Sequence, residues 1–103
     1  MKQLDPAILP ANADRPATRL LHDEPNVRVV AFHLQPGQLV KAHSSPSTVL
    51  LQVVEGEGEF EGDGGEVRLG PGEAVVYAPG EVHAIRAVEH ALRFVATITP
   101  GPA

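Results

Sequence analysis

Residues 36–56 read PGQLVKAHSSPSTVLLQVVEG, and residues 70–87 read GPGEAVVYAPGEVHAIRA. Each segment is a pair of short apolar runs punctuated by Pro-Gly, and each carries one histidine, His43 and His83. Val- and Leu-rich runs bounded by turn residues read as strands. Residues of equal parity on a strand share a face. If His43 faces inward, then Ser45, Val49, Leu51 and Val53 tend to do so as well, and His83 shares its face with Ile85 and Ala87. Two imidazoles, a hydroxyl and aliphatic walls make a pocket.

The same punctuation continues outward. Runs at 18–22, 27–34, 57–61, 66–69 and 91–98 complete a set of eight to nine expected strands. Gly62-Asp63-Gly64-Gly65 is a hairpin signal, because Asp-Gly and Gly-Gly tolerate positive φ. No stretch shows helical periodicity, so the expected architecture is an all-β sandwich or barrel. There is no internal repeat or low-complexity segment. The expected organisation is an N-terminal arm over 1–17, a β domain over 18–99 and a loose tail over 100–103. The Pro- and Ala-rich arm is expected to lie over the barrel or over a partner subunit.

With 103 residues the chain holds one core. The net charge of −5 and scattered basic residues leave no cationic stripe for a phosphate backbone, so nucleic acid is not an expected partner. No apolar run approaches the ~20 residues that span a bilayer, and Pro6 and Pro10 interrupt any leader-like core, so no membrane partner is expected. The absence of Cys excludes disulfides and thiolate ligands and fits a cytoplasmic location.

The spacing of these glycines and histidines resembles the two motifs of the single-domain cupin family, whose RmlC-like fold is a double-stranded β-helix, or jelly roll. Gly37, His43 and Gly56 match the first motif, with Ser45 at its second His position and Val49 at its Glu position. Gly72, Gly80 and His83 match the second, with Ala78 at its Pro position and Ala87 at its Asn position. The resemblance implies that His43 and His83 converge as ligands of one divalent transition metal (Zn, Ni, Fe, Mn or Cu). Two of the family's four ligands are replaced, which argues against a tightly held iron centre. It also implies a homodimer and a small-molecule ligand or substrate.

The residues carry plainer readings beside these. His43 and His83 can be pocket histidines bonded to each other, to Ser45 or to water. Tyr77 is either an acid or base at the pocket rim, paired with His83, or a half-buried aromatic with its hydroxyl in water. Gln52 opposes His43 in parity, and His33 opposes the core-facing Val30, Phe32 and Leu34, so His33 is expected at an exposed or interface position. His22 and His90 sit in turns. Lys41 and Arg86 read as outward charges, and Glu55, Glu57, Glu59 and Glu61 as a charged outer sheet face. A Ser45–His83 nucleophile lacks a Gly-x-Ser-x-Gly elbow and an orienting acid.

The expected pocket is therefore His43, Ser45, Val49, Leu51, Tyr77, His83 and Ile85, with His43 and His83 as metal donors. The leading expectation is a small-molecule binder with a degenerate two-histidine site able to load a divalent metal. Alternatives are a metal-dependent dioxygenase or isomerase, and a metal-free lyase or epimerase that uses His83 and Tyr77.

Overall fold

The computed structural model describes residues 1–101. Nine strands follow a single 3-10 turn at Pro6–Ile8: β1 (Ala17–Glu24), β2 (Val27–Leu34), β3 (Leu39–His43), β4 (Thr48–Gly56), β5 (Gly58–Gly62), β6 (Gly65–Leu69), β7 (Ala74–Tyr77), β8 (His83–Arg86) and β9 (Leu92–Thr99). They form two antiparallel sheets, one in the order β1-β2-β9-β4-β7 and the other β3-β8-β5-β6. This is the all-β sandwich that the strand pattern predicts, in the jelly-roll form that the family resemblance implies.

One short turn chemistry recurs at three corners. Gln35-Pro36-Gly37-Gln38, Gly70-Pro71-Gly72-Glu73 and Ala78-Pro79-Gly80-Glu81 each close with a backbone bond from residue four to residue one, at 3.0, 3.1 and 3.1 Å. Proline fixes φ at the second position and glycine takes φ of 88, 84 and 82° at the third, the arrangement of a type II turn. The fourth side chain folds back in each case. The backbone amides of Gln35, Gly70 and Ala78 donate to Gln38 Oε1, Glu73 Oε1 and Glu81 Oε1 at 2.8, 2.8 and 3.0 Å. X-Pro-Gly-Glu/Gln is thus a self-satisfied corner, closed from both sides.

The β5–β6 hairpin pairs Gly62 with Gly65, and its positive φ of 116° falls on Gly65 rather than on Asp63 or Gly64. β1 runs on to Glu24, so the turn into β2 is confined to Pro25 and Asn26.

The core lies between the sheets, centred on Phe94, which stacks on Phe32 at 4.7 Å and meets Phe60 edge-on at 5.7 Å. Offset and edge-on aromatic pairs of this kind add to the burial itself. Opposite the core, the β3-β8-β5-β6 sheet is charged: Arg86 pairs with Glu59 at 3.3 Å and Glu66 at 3.0 Å, and Arg68 with Glu57 at 3.3 Å. Exposed pairs such as these contribute little to stability and keep the face solvated.

The N-terminal arm folds onto the outer face of its own five-stranded sheet. Gln38 Nε2 donates to Asn12 O at 2.7 Å, and Arg93 Nη1 donates to the carbonyls of Ala7 and Leu9. His33, expected to be exposed, is covered by this arm. It is 8% exposed, and its Nδ1 donates to Leu9 O at 2.8 Å. Parity places it outside the core as expected, but the arm buries that outer position.

The chain end is also held. Ser47 Oγ donates to Pro100 O at 2.7 Å and Gly101 N to Pro25 O at 3.1 Å. The rest of the expected tail, 102–103, lies outside the described residues. No helix among the described residues is long and apolar enough to cross a membrane.

Candidate functional site

His43 ends β3 and His83 begins β8, and the two are register partners in that sheet. A register shift between Val40 and His43 inserts an extra residue into β3. Such a bulge re-aims the side chains around it. Val40 and His43, of opposite parity, therefore both face the interior, while Lys41, two residues before His43, stays exposed.

The imidazoles meet edge to face, with ring centres 4.2 Å apart and planes at 67°. His43 Nδ1 donates to Lys41 O at 2.8 Å, and His83 Nδ1 to Glu81 O at 3.2 Å. A carbonyl only accepts, so the proton on each neutral ring sits on Nδ1, and Nε2 carries the lone pair. His83 is 4% exposed, whereas His43 is at the open rim. Burial, and then the neighbouring His43, push His83 below the usual histidine range. A buried imidazole resists charging.

The backbone around the pair is fixed by the third Pro-Gly corner. Gly80 N donates to Ser45 O at 2.7 Å, tying the loop after β3 to the turn before β8. Glu81 Oε1 and Oε2 accept from Ala78 N and Asp63 N, both at 3.0 Å, and hold that turn against the β5–β6 hairpin. These two backbone bonds hold the Glu81 carboxyl below the usual carboxylate range.

Behind the histidines is a cavity of about 80 Å³, lined by His43, Ser45, Val49, Leu51, His83 and Ile85 from the expected set. Phe32 and Val40 complete it together with Phe94, Ala96 and Ile98 of β9. The β9 contribution was legible in the alternation of Leu92, Phe94, Ala96 and Ile98, which pairing with β4 confirms as one face. No Lys, Arg, Asp or Glu lines the cavity.

Tyr77 is the exception to the expected pocket. It faces inward opposite Val49, but the His83 ring lies over it at 4.5 Å. It lines a separate surface groove instead. Gln52 points outward and donates weakly to Gly72 O at 3.4 Å.

Burial first, then Glu81 and Glu61, push the Tyr77 hydroxyl up to about 12. The unfolded chain releases this proton near 10. The raised value therefore stabilises the fold fully below pH 10, and that contribution is lost as pH rises towards 12. Two units at 1.36 kcal/mol set an upper limit of about 2.7 kcal/mol. Urea unfolding at pH 9 and pH 11.5 checks this: the wild type is expected to lose more stability than Tyr77→Phe, and equal losses would contradict it.

A cupin-type metal would sit at His43 and His83. The donors fit a two-imidazole site open to outside ligands, since both Nδ1 atoms are engaged and both Nε2 atoms are free to coordinate. They do not fit a closed centre of three or four protein ligands, because Ser45 and Val49 fill the other motif positions. Among the described residues, the one cluster of three candidate ligands is Glu57, Glu89 and His90, remote from the cavity lining. Arg68 already pairs with both of its carboxylates, at 3.3 and 3.7 Å.

Comparison with curated proteins finds no match. An RmlC-like cupin protein from Desulfovibrio desulfuricans is 30% identical, with a TM-score of 0.86 over 97% of each chain. TT1209 from Thermus thermophilus superposes at a TM-score of 0.92 over 99% of this chain and 100% of its own, with 24% identity. DMSP lyase DddQ from Ruegeria pomeroyi DSS-3 superposes at 0.79 over 94% of this chain and 54% of its own, with 23% identity. At those last two identities the likeness is one of fold. The cupin domain family itself is matched over residues 30–98, and the chain belongs to it.

Proposed function

We propose that this protein binds a compact, uncharged and mainly apolar molecule in the cavity, with the polar end of the ligand against His43 and His83. The observation that carries this is the apolar cavity of about 80 Å³ with two imidazoles at one end and no charged side chain in its lining. A charged ligand would be desolvated there without a counter-ion, at a cost of several kcal/mol. A dry cavity of ~150 Å³ holds benzene, so the part of the ligand enclosed here is smaller than a six-carbon ring. Propan-2-ol is a suitable probe, followed by amide shifts in ¹H–¹⁵N spectra. Saturable shifts at Ile85 and Ala96, weakened at least about tenfold in His83→Ala, are expected for a lost hydrogen bond in a buried site. Absence of localised shifts would overturn the reading.

The free Nε2 atoms support a second use of the same pair, loading of a divalent transition ion. His43 and His83 would hold it, and it would supply Lewis-acid polarisation to a ligand in the cavity. The protein's own part is to fix both tautomers through Lys41 O and Glu81 O. One zinc or nickel ion per chain, lost in both His43→Ala and His83→Ala, is the expected result of metal analysis after dialysis. Binding unaffected by either substitution would exclude this use. The reading also includes a homodimer, for which the family likeness is the support, and a cytoplasmic location, which the lack of Cys fits.

A further inference from the structure

A groove of about 200 Å³ runs between the hairpin joining β5 to β6 and the edge strand β7. Phe60, Val67, Val75, Val76, Tyr77 and Glu81 contribute to it, and it shares no lining residue with the cavity. Val67 faces the sandwich interior opposite Phe60, yet is 47% exposed, because β6 and β7 are both sheet edges and the sandwich is open between them.

Tyr77 is 4% exposed, and among the described residues its hydroxyl makes no hydrogen bond. Among the described residues no fully buried side-chain oxygen or nitrogen lacks a partner, so that hydroxyl keeps some access to solvent, and Tyr77 lines the groove. A nearly buried hydroxyl left without a protein partner is a ready position for a ligand.

The charges around it have one sign. Glu81 lies in the lining and, with Glu61, imposes a negative potential on the Tyr77 hydroxyl. The lining holds no Lys, Arg or His. The nearby cations Arg68 and Arg86 are engaged by Glu57, Glu59 and Glu66 on the charged sheet face. The groove therefore offers an aromatic and aliphatic floor, a hydroxyl acceptor, and a negative charge on Glu81 that two backbone amides hold in place and no cation of the lining neutralises.

We propose that this groove is a second binding site, specific for a small organic ammonium ion with a short apolar body. The ammonium donates to the Tyr77 hydroxyl within the field of Glu81 and Glu61, and its alkyl chain covers Val67 and Val75. Aromatic faces and carboxylates together select a cation over an isosteric alcohol.

Tyr77 is the sole tyrosine and the chain has no tryptophan, so its emission is a private reporter of the site. The experiment compares n-butylammonium, butan-1-ol and butanoate, with tyrosine fluorescence and amide shifts as readouts. Saturation by n-butylammonium is expected, with shifts centred on Gly62, Gly64 and Gly65. Butan-1-ol should bind about fivefold more weakly, the range of one surface charge interaction, and butanoate more weakly still. Glu61→Gln, which removes charge from an exposed side chain, should weaken n-butylammonium about twofold, and Tyr77→Phe, read by amide shifts, about fivefold. Equal binding of the alcohol or the carboxylate, or shifts centred on the His43–His83 cavity, would overturn the proposal.

Discussion

Gly56→Ala is expected to cost at least about 4 kcal/mol, most of the stability of a domain at the low end of the usual range of about 5–15 kcal/mol. Gly56 ends β4 with φ of 82°, and an added Cβ would lie 1.8 Å from Ala91 O and 2.8 Å from the Ala91 carbonyl carbon. Both obstacles are backbone, held by the pairing of Gly56 with Leu92, so no rotamer change relieves them. Gly72→Ala separates the two penalties. Its φ is 84°, but nothing lies within 4 Å of the added Cβ, so only the left-handed backbone cost of about 1–2 kcal/mol applies. Urea denaturation of both variants at neutral pH checks the difference. Equal losses would mean that the β4–β9 backbones are not as close as described.

Phe94→Ala is expected to cost about 3–5 kcal/mol, the range for truncating a buried aromatic. Phe94 is 1% exposed, and its ring bridges Phe32 and Phe60. It also lines the cavity, so the space left by the ring merges with that of the ligand site. A second readout follows. The variant should admit benzene, which the wild-type cavity is too small to hold. Thermal unfolding with and without benzene tests both parts, with a rise in Tm expected in the variant alone. A variant as stable as wild type would displace Phe94 from the centre of the core.

The strands were legible because turn residues bracket nearly every apolar run, and the Pro-Gly corners at 36–37, 71–72 and 79–80 fix where chain direction changes. Face assignments followed wherever parity is unbroken, as from Thr48 to Val53 and along β9. They were not legible where a bulge intervenes. At Val40–His43 one inserted residue brings Val40 inward beside His43, a change that period-two counting misses, while Lys41 is exposed as expected. Nor does strand parity reveal what lies outside a sheet. His33 is buried by contacts with Leu9, 24 residues away. Tyr77 shows a third limit. Its face was readable, but the His83 ring that separates it from the cavity depends on side-chain packing between sheets.

Everything proposed for the cavity depends on His43 and His83 acting as one site, with both Nε2 atoms presented to a ligand. Long-range ¹H–¹⁵N spectra of the five imidazoles, assigned with His43→Ala and His83→Ala, decide whether they do. The predicted result is the Nδ1–H tautomer for both rings in their neutral form, with each assigned signal shifting when the other histidine is removed. An Nε2–H tautomer at either position, or a His43 signal indifferent to loss of His83, would contradict it.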